Sequence, residues 1–352
     1  DLTADDAALW RAHQAADPAL GSPYLTPEWA KLIGSVRDDA RVCVIQDGAG
    51  YFGAQRLSRF AAMGLGAPIA DYQGVVGLPG LPVNGAELCR ALKVGRIDMT
   101  HAPAGQHLLK GAAAGQEGSW IAEVSGGRDL YEAALRQRRS EFVRQTDKKL
   151  RKLEREHGHV EFRAQSVERT DFETLLAWKN AQLKRSGQPE IWATPWIAQT
   201  LNACFETRAP QFGGALFTLT LRGKLAAGAF CLRSARVLHF WIVAHDSAYD
   251  AFSPGVQLAR WIAGWAGDNG DPDNVMSSLF VGERANSISD RAIISTNASS
   301  PPANAYLSAA SSPAIPGRLR CAAPSTRFER GSSASRNPAS PPFPAKPCAA
   351  ST

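Results

Sequence analysis

Several features that mark common classes of protein are missing from this chain of 352 residues. Its six cysteines form no Cys-x-x-Cys pair, so zinc ribbons and redox dithiols are not indicated. The seven histidines lack the spacing of a metal-binding helix, and we expect no metal. No apolar run reaches the ~18 residues of a membrane-spanning helix. The first residues are acidic, unlike a signal peptide, so a cytoplasmic location is expected.

An excess of positive charge is also missing from most of the chain. The 39 Lys and Arg residues exceed the 33 Asp and Glu residues by six. Residues 277–352 hold 8 basic and 3 acidic residues, which leaves +1 for residues 1–276. A basic field over the whole protein, of the kind that attracts DNA, is therefore excluded for residues 1–276.

The composition changes near residue 276. All nine tryptophans precede this point, whereas Ser, Ala and Pro make up more than half of the sequence that follows it. Such a segment buries too little apolar surface to fold, which predicts a disordered, low-complexity tail. A frameshift is the alternative hypothesis. Codons that encode Ala345–Thr352, read one base upstream, also encode the ordinary charged sequence Gly-Lys-Ala-Leu-Arg-Arg-Val-Asp.

Residues 1–276 divide into two α/β segments. In the first, apolar spacing predicts helices over Asp6–His13, Pro27–Val36 and Ala86–Leu92 and strands over Arg41–Gln46, Tyr51–Phe60 and Trp120–Val124. In the second, it predicts helices over Leu130–His157, Asp171–Ser186, Thr194–Thr207 and Ser253–Trp265, and strands over Ala215–Leu221, Leu225–Leu232 and Val237–Ala244. The three strands are consecutive, which is typical of an antiparallel meander.

The helix predicted over Leu130–His157 carries the densest charge of the chain. Nine basic and three acidic residues lie between Arg136 and Arg155. Mixed charges of this kind are typical of a solvated face, although a surface that binds RNA, DNA or acidic lipid is the alternative. No aromatic series accompanies them to stack on bases. The residues predicted to form its buried stripe are Leu135, Phe142, Leu150 and Leu153.

The tripeptide Ser253-Pro-Gly opens the last predicted helix. Ser253 is placed to be its N-cap, and Pro254 suits the first helical position because its missing N–H costs nothing there. The backbone N–H groups of Gly255, Val256 and Gln257 then form the positive end of the helix, where they can bind a pyrophosphate. The simpler interpretation is that the tripeptide only begins a helix.

An ordered set of segments resembles a known family. It consists of residues 175–192, the Pro195-Trp pair, residues 237–241 and the Ser253-Pro-Gly helix, preceded by Asp71-Tyr-Gln-Gly. Together they resemble the CelD-type acetyltransferases of the GNAT (acyl-CoA N-acyltransferase) superfamily, found in bacterial polysaccharide and cellulose gene clusters. The resemblance covers about residues 5 to 270.

The resemblance implies an α/β (α+β) fold of tandem GNAT-like domains, with mixed, mostly antiparallel sheets flanked by helices. We expect an N-terminal domain over 1–125, an acyltransferase domain over 126–276 and the tail over 277–352. The family closes its second domain with an acidic, Gly-containing strand and a Tyr-Lys pair. Residues 277–284 depart from that pattern, and a shifted reading restores it, which favours the frameshift.

The resemblance also implies an activity, the transfer of an acetyl or other acyl group from acyl-CoA. The expected acceptor is an amine or hydroxyl of a small molecule or saccharide related to the cell envelope. Two alternatives stay open. The protein could be a non-catalytic GNAT-like scaffold, or a Fem-like transferase that uses aminoacyl-tRNA and presents its basic helix to the RNA.

Acyl transfer needs a base for the proton of the attacking amine and a donor for the departing thiolate. Asp246 or His245 is the candidate base and Tyr249 the candidate acid, although ordinary loop polarity also explains all three. The candidate substrate contacts are Trp178, Lys179, Gln182 and His239. For His239, which lies within an apolar strand, a packed core histidine is the alternative.

Overall fold

The computed structural model describes residues 2–103, 106 and 117–269, together with four short strands within 278–281, 291–297, 305–308 and 319–322. Its first helices begin at side-chain caps. Thr3 forms a reciprocal capping box with Asp6, and Thr26 caps a helix that has Pro27 at its first position. In this part of the chain the helices are α1 Ala4–Ala16, α2 Pro27–Val36, α3 Gly85–Leu92, α4 Gly127–Arg138, α5 Ser140–His157, α6 Arg169–Arg185, α7 Pro195–Glu206 and α8 Pro254–Asn269.

The strands form two sheets. Those described are β1 Ala40–Ile45, β2 Gly50–Gln55, β3 Ala61–Gly64, β4 Val75–Gly77, β5 Arg96–Met99, β6 His101–Pro103, β7 Glu117–Glu123, β8 Val160–Ser166, β9 Arg208–Ala209, β10 Phe212–Leu221, β11 Lys224–Ser234, β12 Val237–His245, β13 Ser278–Val281, β14 Arg291–Asn297, β15 Ala305–Ser308 and β16 Leu319–Ala322.

The first sheet has the order β15-β5-β3-β2-β1-β16, with β4 also paired to β2. The second has the order β6-β14-β7-β13-β12-β11-β10-β8, with β9 beside β10. Only β3–β5 and β12–β13 pair in parallel among the described strands. The predicted fold class, α/β with mixed and mostly antiparallel sheets flanked by helices, is confirmed.

The second sheet draws strands from both ends of the chain. β6 and β7 precede residue 125, yet β7 lies between β13 and β14 in this sheet. Strands β13 to β16 lie within the predicted tail. Each of them pairs with one of the strands β1 to β12, which precede the tail. At these four places the backbone is extended rather than irregular. The rest of the predicted tail lies outside the described residues, and the domain limits and the frameshift stay predictions.

The main hydrophobic core lies between the N-terminal helices and the second sheet. Trp29 of α2 is fully buried and contacts Tyr24, Phe212 and Trp241 through their rings. A second core lies on the other face of that sheet, where α8 covers β10 and β11. The α8 residues Leu258 and Ile262 are fully buried there, as their helical spacing predicted.

The single helix predicted over Leu130–His157 is wrong, because two helices meet at Arg139. This residue has φ −139° and ψ 46°, which interrupts the helical path. Glu132 of α4 and Asp147 of α5 both bind the half-buried Arg260 of α8. The break therefore separates two helices that one guanidinium holds against α8.

The buried stripe of α5 also differs from the prediction. Leu153 is fully buried, but Phe142 and Leu150 are only half-buried, while Val143 and Thr146 face the interior. Helix α5 thus turns a slightly different face to the core from the one that its leucines indicated.

We expect Leu153→Ala to lower the free energy of unfolding by about 3 kcal/mol, because it leaves a cavity under α5. Arg138→Ala, at an exposed position of α4, should change it by less than about 0.5 kcal/mol. Urea denaturation of both variants checks this. Equal, small effects would mean that α5 does not pack as described.

Candidate functional site

Strand β12 organises the site, since it ends in the turn that leads to α8. Its pairing with β11 shifts between Phe230 opposite Ile242 and Cys231 opposite Phe240, which leaves Trp241 as an extra, bulged residue. On its other edge, β12 pairs with β13 only from Val237 to His239. Of the strands described, none covers this edge beyond His239. The edge therefore offers backbone N–H and C=O groups to an extended ligand.

The start of α8 lies beside His245, the last residue of β12. Ser253 has a left-handed backbone, with φ 53°, and its carbonyl accepts the N–H groups of Val256 at 3.1 Å and Gln257 at 3.3 Å. Ser253 thus has the N-cap position, as predicted, but its hydroxyl accepts a hydrogen bond from Lys149 Nζ at 2.8 Å. The Val256 amide, predicted to be free, is hydrogen-bonded instead. At Gly255, an added Cβ would meet only His245 Nδ1 at 3.7 Å and the Val243 side chain.

The side chain of Gln257 has a structural contact. It is buried, and its amide donates to the Thr146 carbonyl of α5 at 2.8 Å. This bond fixes α5 beside the first turn of α8, which explains why Lys149 reaches Ser253. The predicted contact of Gln257 with a cofactor stays a prediction, and both its backbone N–H and its side-chain amide already donate to protein carbonyls.

Several positively charged groups lie at the start of α8. The N-terminus of a helix carries a partial positive charge, and a lysine is unfavourable beside it unless an anion is present. Lys149 nevertheless lies there, and Lys152 Nζ is 5.5 Å from the centre of the Phe252 ring next to it. Asp250 supplies negative charge on the turn, but it faces His245, with 2.7 Å between Oδ1 and Nε2. The arrangement suits a phosphate group.

The three predicted catalytic residues lie at this same end of β12. The His245 ring is beside Gly255, while the Asp246 carboxylate accepts the Ala248 amide and stabilises the turn. The Tyr249 ring packs edge to face on His157, with 5.2 Å between the ring centres. The structure therefore brings them to the helix start, next to the predicted anion site.

The predicted substrate residues lie elsewhere. Trp178, Lys179 and Gln182 are on α6, which packs against β11 and β12. Lys179 Nζ donates to Gln182 Oε1 at 3.3 Å, and Trp178 lies at the rim of the main core. His239 is six residues from His245, which corresponds to about 20 Å along a strand. It is buried, and its Nε2 is 2.7 Å from Asp71 Oδ2.

Asp71 was not predicted to act in the site, although it belongs to the Asp71-Tyr-Gln-Gly segment that resembles the family. The stretch that contains this segment contacts β12, since Asp71 pairs with His239 and Trp241 Nε1 donates to the Ile69 carbonyl at 3.1 Å. The Tyr72 hydroxyl donates to Ser119 of β7 at 2.6 Å, and burial raises the pKa of Tyr72 well above its usual value. The signal in the sequence that could have pointed to Asp71 is a polar motif within a Gly- and Pro-rich stretch.

The described residues show neither a metal-binding cluster nor a membrane-spanning helix. No three His, Cys, Asp or Glu side chains in this part of the chain lie close enough to hold a metal ion. Each helix described is too short or too polar to cross a bilayer.

Comparisons with known proteins agree with this architecture. Residues 125–273 match the family model of the acetyltransferase (GNAT) domain. A crystal structure of FemX is similar in fold, with a TM-score of 0.51 at 12% identity over 84% of this chain and 94% of FemX. The fold is thus that of GNAT-like acyltransferases, and the family match supports that superfamily. No curated protein matches the chain significantly.

Two further solved structures are similar to this chain with lower TM-scores. One is to the C-terminal domain (DUF2156) of a putative lysylphosphatidylglycerol synthetase from Agrobacterium fabrum, with a TM-score of 0.45 at 15% identity over 79% of this chain and 78% of that one. The other is to a GCN5-related N-acetyltransferase from Kribbella flavida, with 0.38 at 10% over 76% and 92%.

Proposed function

We propose that this protein is a CelD-type acyltransferase that moves an acetyl group from acetyl-CoA to an amine or hydroxyl of an envelope-related saccharide or small molecule. The observation that carries the proposal is the helix start of α8, where Lys149 reaches Ser253 beside the open Gly255. This helix start lies within the segment that matches the GNAT acetyltransferase domain. The particular acceptor class rests on the resemblance described above.

The diphosphate of coenzyme A fits the start of α8 on physical grounds. The helix end and Lys149 supply positive charge, and Gly255 lets the ligand approach the backbone closely. The pantetheine arm carries amide groups, which can pair with the edge of β12 that no described strand covers. An arm that follows this edge from α8 leads toward the bulge at Trp241.

This placement favours different roles for the two ends of β12. His245, beside Gly255, would neighbour the phosphates, together with Asp246 and Tyr249. The acyl group would lie nearer His239, and contacts of Trp178 and Lys179 with the acceptor stay predictions. A role of His245 or Asp246 as base and of Tyr249 as acid is therefore less favoured than a role in binding coenzyme A.

Calorimetric titration of acetyl-CoA into the full chain tests the proposal. We expect saturable binding that free coenzyme A displaces, since the diphosphate is common to both. A folded protein that binds neither ligand at millimolar concentration would overturn it. Binding without any acyl transfer would favour the scaffold alternative.

The fold likeness to FemX and the exposed cations of α5 favour one second candidate, an aminoacyl-tRNA-dependent transferase. A tRNA surface would show binding that weakens steeply with salt, because each phosphate contact releases counterions. Electrophoretic mobility shifts with total tRNA at two salt concentrations distinguish the candidates. Acetyl-CoA binding without a tRNA shift would exclude this one.

Lys149→Gln should weaken acetyl-CoA binding about threefold to tenfold at low salt, because it removes a charge-assisted contact to the phosphates. Lys148→Gln, at the exposed neighbouring position, is the matched control and should change binding little. The difference between the two variants should shrink as salt is raised. Equal effects of both would point to a diffuse field rather than a site at Ser253.

A further inference from the structure

We infer that Asp71, supplied by the N-terminal part of the chain, is the general base of the acyl transfer, and that the buried His239 positions it. The inference rests on the proposed function and adds a residue that the predicted set of catalytic groups did not contain. Its basis is a side-chain pair that joins the two parts of the molecule at the acyl end of β12.

The pair has one accessible and one buried member. The Asp71 side chain is 44% exposed, whereas that of His239 is 5% exposed. With 2.7 Å between Asp71 Oδ2 and His239 Nε2, the imidazole lies behind the carboxylate. Only the carboxylate can therefore touch a substrate, and His239 acts through it.

Several contacts hold the carboxylate in place. Trp241 anchors the preceding backbone through its bond to the Ile69 carbonyl, and Tyr72 bonds to Ser119 on the other side. The ring of Tyr24 packs edge to face on His239, with 5.1 Å between the centres. A base positioned in advance, rather than by a mobile loop, is what proton transfer in an active site requires.

No strong cation among the described residues compensates the charge of Asp71. No Lys or Arg in this part of the chain forms an ion pair with it, and its hydrogen-bonded neighbour is His239. A carboxylate that served only to link the two parts of the chain would more often face an arginine. An exposed carboxylate beside an imidazole can instead accept a proton.

The position of the pair on β12 agrees with the path proposed for coenzyme A. His239 is the last β12 residue paired with β13, and the bulged Trp241 follows two residues later. A ligand arm that runs from α8 along the open edge ends at this point. His245, in contrast, lies at the phosphate end, about 20 Å away along the strand.

The proposed acyl transfer forms one bond at the carbonyl carbon and breaks another. The nitrogen or oxygen of the acceptor attacks the thioester carbonyl carbon, so that a C–N or C–O bond forms and the C–S bond breaks. The proton of the nucleophile passes to the Asp71 carboxylate, and the electron pair of the broken bond leaves with the coenzyme A sulfur. This thiolate takes a proton from water, and Asp71 returns its own proton to water.

The test uses the full chain with acetyl-CoA and hydroxylamine, a small nucleophile that does not depend on the identity of the natural acceptor. We expect Asp71→Asn to slow the release of free thiol at least 100-fold, since a general base contributes about 10²–10⁴-fold. The dissociation constant of acetyl-CoA should stay within about twofold. Asp5→Asn, an exposed carboxylate of α1, is the matched control and should retain the full rate.

Two further variants separate a base from a structural link. Formate should restore part of the rate of Asp71→Ala, because it replaces the missing carboxylate. His239→Gln should retain much of the rate, because its amide can still donate to Asp71, whereas His239→Phe should lose it.

Transfer at the normal rate by Asp71→Asn, or a failure of formate to restore Asp71→Ala, would overturn the inference while acetyl-CoA binding stays intact. Wild-type protein that binds acetyl-CoA but transfers nothing would also overturn it. Wild-type protein that does not bind acetyl-CoA would instead overturn the proposed function, and the inference with it.

Discussion

Gly255→Glu is expected to abolish acetyl-CoA binding without unfolding the protein. The new carboxylate would occupy the start of α8 and repel the diphosphate that the helix end and Lys149 attract. The backbone tolerates a side chain there, because an added Cβ comes no closer than 3.7 Å to His245 Nδ1. We expect affinity to fall at least about 100-fold, or about 2.8 kcal/mol, by calorimetric titration.

Two variants at the same position separate charge from size. Gly255→Gln has nearly the same shape as Gly255→Glu and should bind better than it, since only the charge differs. Gly255→Ala should change affinity by less than about threefold. Thermal melts should be similar for all three. If glutamate binds as well as glycine, the diphosphate does not lie at this helix start.

Trp29→Ala is expected to have the largest effect on stability, a loss of about 4 kcal/mol. The side chain is fully buried and packs on Tyr24, Phe212 and Trp241, so its removal leaves a cavity between the N-terminal helices and the second sheet. Urea denaturation followed by circular dichroism measures the change.

Trp29→Phe is the matched control. The Trp29 indole N–H has no hydrogen-bond partner among the described residues, so phenylalanine keeps the ring contact and gives up no such bond. Its cost should stay below about 1.5 kcal/mol. Equal losses for alanine and phenylalanine would indicate that the indole shape itself, rather than buried area, holds the two parts together.

Local signals predicted the elements around the site well. The meander appears as β10, β11 and β12, because apolar runs alternate with turns such as Arg222-Gly, where both residues adopt positive φ. Helix α8 begins at Pro254, as its cap and proline indicated, and continues to Asn269, beyond the predicted end. Each of these predictions depended on residues that lie close together in the chain.

What the sequence could not show depends on distant residues. No glycine or proline marks the break at Arg139, whose neighbouring helices are both tied to Arg260, more than a hundred residues later. The Asp71–His239 pair likewise joins residues 168 positions apart. Periodicity and capping carry no information about such contacts, so the sequence did not point to Asp71, whereas it did predict the start of α8.

The position of β7 between β13 and β14 has a consequence for how the protein is made. Ala122 lies opposite Leu279, so β7 cannot join the second sheet through β13 until the ribosome has synthesised residues 278–281. Pairing across so long a stretch of chain is slow, since the entropy of closing the loop is lost before the contacts form. Until then the growing chain holds an open strand edge at β12, which makes the interval before synthesis passes residue 281 the time of greatest risk for aggregation.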